Sequence, residues 1–298
     1  MATRSFPGTC NALQGVVLCF ATALAATGAL AAPGELDPTF GAAGRLPLQI
    51  LDASANPRPL RVNAMAQQSD GKLVLVGTLQ QYDPPELSGD HVLVARLNAD
   101  GSLDSSFDGD GWTTVAFDGS NSSDVAYAVL VQPDDKIVAA GRSTLFSPIY
   151  GNNIALVRLN ADGSPDTGFG TNGRVSFDGG GTGIEEARGI VRRSDGGLVV
   201  VGTTDRNGEY DIIFAAFTSD GQPETGFGTD GVTIVSFGPA SYEQAYALAQ
   251  QSDGSLVAAG FGPGSNFVNT MAAVRVTAAG VLTPPSTATG WRWSTSAR

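Results

Sequence analysis

Apolar residues in this chain fall in short runs of four to eight, broken by Gly, Asp, Asn and Ser, and long amphipathic helical stretches are lacking. Such runs between turn residues predict strands. The runs recur. "SDGKLVLVG" from Ser69 to Gly77 is echoed by "PDDKIVAAG" ending at Gly141, "SDGGLVVVG" ending at Gly202 and "SDGSLVAAG" ending at Gly260. The opening aspartates are Asp70, Asp134, Asp195 and Asp253, so the steps are 64, 61 and 58 residues.

Two more phrases keep the same order. "VARLNADG" from Val94 returns as "LVRLNADG" from Leu156, "FAAFTSDG" from Phe214 and "AVRVTAAG" from Ala273. Phe-x-x-x-Gly returns at Phe40–Gly44, Phe107–Gly111, Phe169–Gly173 and Phe227–Gly231. Each unit then reads as four strands: "VNAMAQQ" and its kin, "KLVLVG" ending at Gly77, "HVLVARLN" from His91, and "WTTVAF" from Trp112. The second is apolar on both faces and is expected inside a sheet. Asp-Gly between the third and fourth predicts a type I′ hairpin, whose positive φ Gly supplies. Gly77, Gly141, Gly202 and Gly260 fit a bulge or a close backbone approach.

Four antiparallel strands per repeat, turned about an axis, describe a β-propeller. The small column Ala64, Ala128, Gly189 and Ala247 on the first strands suits a crowded axis, and small side chains lining it favour a scaffold over an enzyme. A β-solenoid is the competing architecture, but its rungs are shorter than these repeats. The combination of "DGKLVLVG", "ARLNADGSLD" and Phe-x-x-x-Gly resembles the delta-60 repeat, or DUF5122, β-propeller family over residues 35–282. The resemblance implies an all-β propeller of about four repeats, in a family found in secreted and surface bacterial proteins. It implies no catalytic residues. The units lie near residues 36–98, 99–160, 161–218 and 219–280.

The strand count leaves the last unit one short. "GRLPLQI" (Gly44–Ile50) is a fourth strand with no unit before it, so either it completes the last unit and closes the ring or the propeller is incomplete. After Leu282 the repeat calls for Asp and Phe, yet the chain reads "TPPSTATGWRWSTSAR". One back-translation of Thr283–Ser296, with a single G restored, yields Asp-Pro-Pro-Phe-His-Gly-Asp-Gly, the missing phrase. A frameshift near Leu282 is therefore an expectation, with residues 283–298 as an atypical tail.

Composition sharpens this. Gly is abundant at 39 residues and charged residues are sparse at 15%, as an all-β protein allows. Arg4 is the only charge before Glu35, and Val16–Leu30 is apolar ahead of Ala31, so residues 1–31 read as a secretory signal peptide. Cys10 and Cys19 both lie in it, leaving no thiol or disulfide after cleavage. The net charge of −12 argues against nucleic acid and anionic membranes as partners.

Candidate chemistry is thin. Asn98–Asp104 and Asp108–Gly111 gather oxygens, but calcium wants six to eight ligands and no EF-hand spacing is present. Turn chemistry explains these residues better. Arg96, Arg158 and Arg275 recur where the third unit has Ala216, and are expected to pair with a neighbouring blade's aspartate such as Asp104 or Asp166. His91 is the only histidine, which leaves no room for a His-based zinc site. "GGGTG" at Gly179–Gly183 lacks the Lys of a phosphate loop. Tyr82, Tyr150, Tyr210 and Phe267 fall in inter-strand loops, where aromatic anchors serve recognition. The expected function is an exported, non-catalytic scaffold or binding module with a protein or glycan partner and no cofactor. The alternatives are a propeller hydrolase or lyase with a carboxylate or calcium site at its axis, and a fragment of a longer surface protein.

Overall fold

A computed structural model of the chain describes residues 34–51, 55–81, 89–117, 123–145, 151–181, 183–206, 208–238, 241–263 and 269–283. The signal peptide and residues 284–298 of the tail lie outside them, as do Tyr82, Tyr150 and Phe267. The described residues form fifteen strands and no helix.

Three sheets have four antiparallel strands in simple up-and-down order. The first is β1 (Leu60–Gln67), β2 (Leu73–Gln81), β3 (Gly89–Leu97) and β4 (Trp112–Val115). The second is β5 (Val125–Val131), β6 (Ile137–Leu145), β7 (Gly151–Leu159) and β8 (Arg174–Phe177). The third is β9 (Glu185–Arg192), β10 (Leu198–Arg206), β11 (Glu209–Phe217) and β12 (Val232–Val235). The fourth has only β13 (Gln244–Gln250), β14 (Leu256–Pro263) and β15 (Asn269–Val276). First strands pack on first strands, β1 with β5, β5 with β9 and β9 with β13, so they form the inner edge of an arc of blades.

The core lies between blades, not within them. Val74, Val76, Val92 and Val94 of the first sheet meet Ala126, Ile137, Ala139 and Val157 of the second. The same positions meet at the next two junctions. This is why second and third strands are apolar on both faces: each face belongs to a different junction.

A repeated stitch fixes each blade to the next. Phe-x-x-x-Gly closes as a single turn, with the Gly111 amide donating to the Phe107 carbonyl at 2.8 Å. The residue after the phenylalanine then donates to the next unit's Asp-Gly turn: Gly41 to Asp100, Asp108 to Asp162, Gly170 to Asp220 and Gly228 to Ala279. The phenylalanine ring lies against the glycine of that turn, so a Cβ on Gly163 would come within 3.2 Å of Phe107.

Four expectations change. The second strands run on past their glycines, β2 to Gln81, because the glycine faces a bulge in mid-strand rather than an end. The link from β3 to β4 is not a type I′ hairpin. Gly101 has φ 88° but Asp100 does not share the positive φ, and Phe-x-x-x-Gly adds a second turn before β4. Tyr210 lies in β11 rather than in a loop. Finally, Gly44–Ile50 does not complete the last blade. It runs extended with Leu46, Leu48 and Ile50 turned inward, and Ile50 packs on Leu60, Leu79 and Leu93 of the first blade. The Phe40 turn stitches it there, and the arc stays open.

Candidate functional site

Each first strand carries a β-bulge at the same place. The register slips between Val62 and Ala64, Ala126 and Ala128, Ala187 and Gly189, and Ala245 and Ala247. The extra residues are Asn63, Tyr127, Arg188 and Tyr246. A bulge leaves one residue unpaired and re-aims its side chain. Opposite each bulge stands the recurrent glycine. A Cβ on Gly77, Gly141, Gly202 or Gly260 would sit 1.8 Å from a backbone carbonyl oxygen of the first strand. The glycine column therefore makes the bulge possible.

At the two inner blades the small column next to the bulges is buried in the junctions rather than lining the axis. Ala128 belongs to the junction core with Ala187 and Val200. A Cβ on Gly189 would meet Leu248 of the next blade at 3.1 Å. Small residues here let first strands approach each other, and the bulge residues take the inner edge instead.

Those residues form a ladder across blades. The Arg188 guanidinium lies over the Tyr127 ring at 4.3 Å and the Tyr246 ring at 5.4 Å. Asn63 Nδ2 donates to the Ala126 carbonyl at 2.8 Å. Beneath, buried Glu186 accepts from Arg188 Nε at 2.6 Å and lies 3.9 Å from Arg142. Burial, with the Glu186 charge behind it, pushes the Tyr127 hydroxyl pKa up. Tyr246 is exposed, and its hydroxyl donates to Gln244 Oε1 at 2.7 Å. A cation held between aromatic faces at a partly exposed site is stabilised by about 1 kcal/mol, and the carboxylate below fixes the guanidinium plane. The ladder was legible as the aromatic or cationic residue before each small one in "AYAVLVQ", "ARGIVRR" and "AYALAQQ", but only the bulge shows where it points.

The other candidates are structural. Arg96 pairs with buried Asp104 at 2.7 Å and Arg158 with Asp166 at 2.7 Å, each inside its own blade rather than across to a neighbouring one. The far nitrogen of each does cross, donating to the Ala161 and Ser219 carbonyls of the next blade. Turn donors and the adjacent cations hold Asp104 and Asp166 below the usual carboxylate range, against burial. Where Ala216 lacks a guanidinium, Arg193 supplies one to Glu224. Thr283 stands where Asp104 and Asp166 stand, so Arg275 turns to exposed Asp253 instead.

The turn aspartates cap their own turns. Asp100 accepts from the Ser102 amide at 2.9 Å and its hydroxyl at 2.7 Å, and Asp162 does the same with Ser164. Among the described residues no three His, Cys, Asp or Glu side chains converge as a metal would need. The glycine loop's amides are likewise taken: Gly179 and Gly181 both donate to Glu185 at 2.7 Å. Buried Asp124, Glu185 and Glu243 share one repeat position, each accepting an amide from the loop that leads into its first strand. Burial raises Glu185, and raises Glu243 to about 7 with help from Asp211 and Glu209. Burial also lowers His91 in β3, whose Nε2 has no hydrogen-bond partner among the described residues. Tyr210 packs edge-on against Tyr242 at 5.5 Å.

Comparison with known proteins gives one family. The model described as "Domain of unknown function (DUF5122) beta-propeller" matches residues 68–107, 132–169 and 193–227. Each match runs from the β-turn after a first strand to the phenylalanine of the stitch. No curated protein matches by sequence. Among solved structures, a protein of unknown function from Dyadobacter fermentans is similar over 75% of this chain and 68% of its own, at 13% identity and a TM-score of 0.43. A GH43 endo-arabinanase from Bacillus licheniformis is similar over 74% and 75%, at 15% identity and a TM-score of 0.42. An endo-arabinase from Bacteroides thetaiotaomicron is similar over 70% and 72%, at 15% identity and a TM-score of 0.35.

Proposed function

Built from repeats of the DUF5122 β-propeller family, this chain is, we propose, an exported, non-catalytic binding module whose ligand rests on the inner-edge ladder. One observation carries the reading: four bulges, each needing its own glycine, aim Asn63, Tyr127, Arg188 and Tyr246 at a shared edge. A bulge disrupts a ladder of hydrogen bonds, and bulges cluster where a side chain must be re-aimed. Tyrosine faces flanking a fixed guanidinium suit a saccharide, which stacks its apolar face on the rings and offers hydroxyl or carboxylate oxygens to the cation. Glu186 pairs with Arg188 and lies 3.9 Å from Arg142, so it serves to position the guanidinium.

The test is a glycan array of neutral and uronate-containing oligosaccharides, probed with the wild type, Arg188→Ala and Tyr127→Ala. Saccharide binding that falls at least tenfold in both variants, with no cleavage of the bound glycan, supports the reading. Equal binding by all three, or turnover of the glycan, overturns it.

A further inference from the structure

The two ends of the arc expose faces that are buried at every internal junction. On the last blade, Met271 is 89% exposed, whereas its repeat equivalents Val92, Ile154 and Ile212 are no more than 2% exposed. On the first blade, Val62 is 41% exposed, whereas Ala126, Ala187 and Ala245 are no more than 1%. Both ends are sheet faces of the kind that elsewhere cover one another.

At several junction positions side-chain sizes at the two ends differ from those inside. On the last blade's outer face Ala259 stands where Val76 and Val201 stand and Ala273 where Val94, Leu156 and Phe214 stand, while Met271 is larger than its equivalents Val92, Ile154 and Ile212. On the first blade's outer face Val62 stands where the other blades have alanine and Leu75 where they have Ala139, Val200 and Ala258, while Ala95 is no larger than Val157, Ala215 and Val274. Small against large conserves volume, which a close-packed junction demands. At the internal junctions the positions of Ala259 and Ala273 face those of Val62 and Leu75, so the smaller residues of one end would stand opposite the larger residues of the other.

Strand edges match as well. Among the described residues β15 has no fourth strand beside it, while Gly44–Ile50 is extended, alternately buried and outside any sheet. It already sits against the first blade as β4 sits against the second, with Phe40 on Gly101 as Phe107 is on Gly163.

We propose that two copies of this chain close head to tail, the last blade of each packing on the first blade of the other. Gly44–Ile50 of each copy adds as the fourth strand beside the other's β15. The chain's own first blade does not fill that place, because three like stitches turn the arc without bringing its ends together, and packed junctions do not deform smoothly. Head-to-tail contacts close when the rotation permits. Four sheets from each copy give an eight-bladed ring, within the usual range of about four to eight. Strand addition supplies backbone hydrogen bonds and removes the edges.

Light scattering coupled to size exclusion tests this on the wild type, Met271→Asp and Val62→Asp at micromolar concentrations. The wild type runs at two-chain mass. Each variant keeps its far-ultraviolet dichroism and dissociates at least tenfold more readily, and mixing the two variants restores a pair through the one intact junction. A wild type that stays single overturns the proposal, as does a larger open polymer. A dimer broken by Met271→Asp but untouched by Val62→Asp would mean a junction between like faces, and also overturns it.

Discussion

Gly202→Ala is the sharpest probe of the bulge. The new Cβ would lie 1.8 Å from the Glu186 carbonyl oxygen and 2.8 Å from its carbon, where real Cβ atoms essentially never come under 3.0 Å. The struck atoms are backbone, so no rotamer change relieves the overlap. Either β9 moves away from β10 or the bulge at Arg188 is lost. Overpacking of a core costs about 1–3 kcal/mol, and a backbone clash belongs at the upper end. For a chain of this size each kcal/mol lowers the melting temperature by about 2–4 °C, so a fall of about 6–12 °C is expected. Gly226→Ala is the control, because its Cβ meets nothing within 4 Å and its φ is negative. That change is expected to be neutral or to stabilise by about 0.4–1 kcal/mol through the unfolded chain. Thermal melts followed by circular dichroism compare the two. If Gly202→Ala melts alongside Gly226→Ala, the glycine column does not serve the bulge and the reasoning fails.

Three more outcomes follow from the same contacts. Glu243, raised to about 7 from 4.5, holds a proton in the folded state that the unfolded chain releases. Stability is therefore lost as pH climbs from about 4.5 to 7 and is level above, by up to about 3 kcal/mol; urea melts at pH 5 and pH 8 are expected to show this slope flattened in Glu243→Gln, and an unchanged slope would count against it. Asp104→Asn strands the buried Arg96 guanidinium and is expected to cost about 3–5 kcal/mol, read as a lower guanidinium midpoint. Thr283→Asp returns to Arg275 the partner that its repeat position lacks and is expected to stabilise by no more than about 1 kcal/mol, since Arg275 is exposed; a loss of stability would show that the repeat register does not extend to Thr283.

Much of the fold was legible because its causes are local. The strands follow from short apolar runs. The turns follow from Asp and Ser that bond within two residues, as Asp100 does with Ser102. The repeated order of the three phrases implied repeated sheets. The Arg96–Asp104 pair was half legible: its residues were, but the same-repeat partnership depends on how the β3–β4 link folds back. The ladder was hidden because strand periodicity assigns Tyr127 and Arg188 to a face only when the register is unbroken. A bulge shifts the parity by one.

The sequence by itself determined the strands and their repeated order, since these rest on short apolar runs and turn residues a few positions apart, but not the type of the β3–β4 link. Only the tertiary structure decided which residues reach the inner edge and whether the ends meet. The first depends on a carbonyl oxygen in a neighbouring strand that forbids a Cβ at Gly202. The second depends on a small rotation at each junction, which no single repeat reveals and which three repetitions carry to an open arc with Val62 and Met271 bare at its ends.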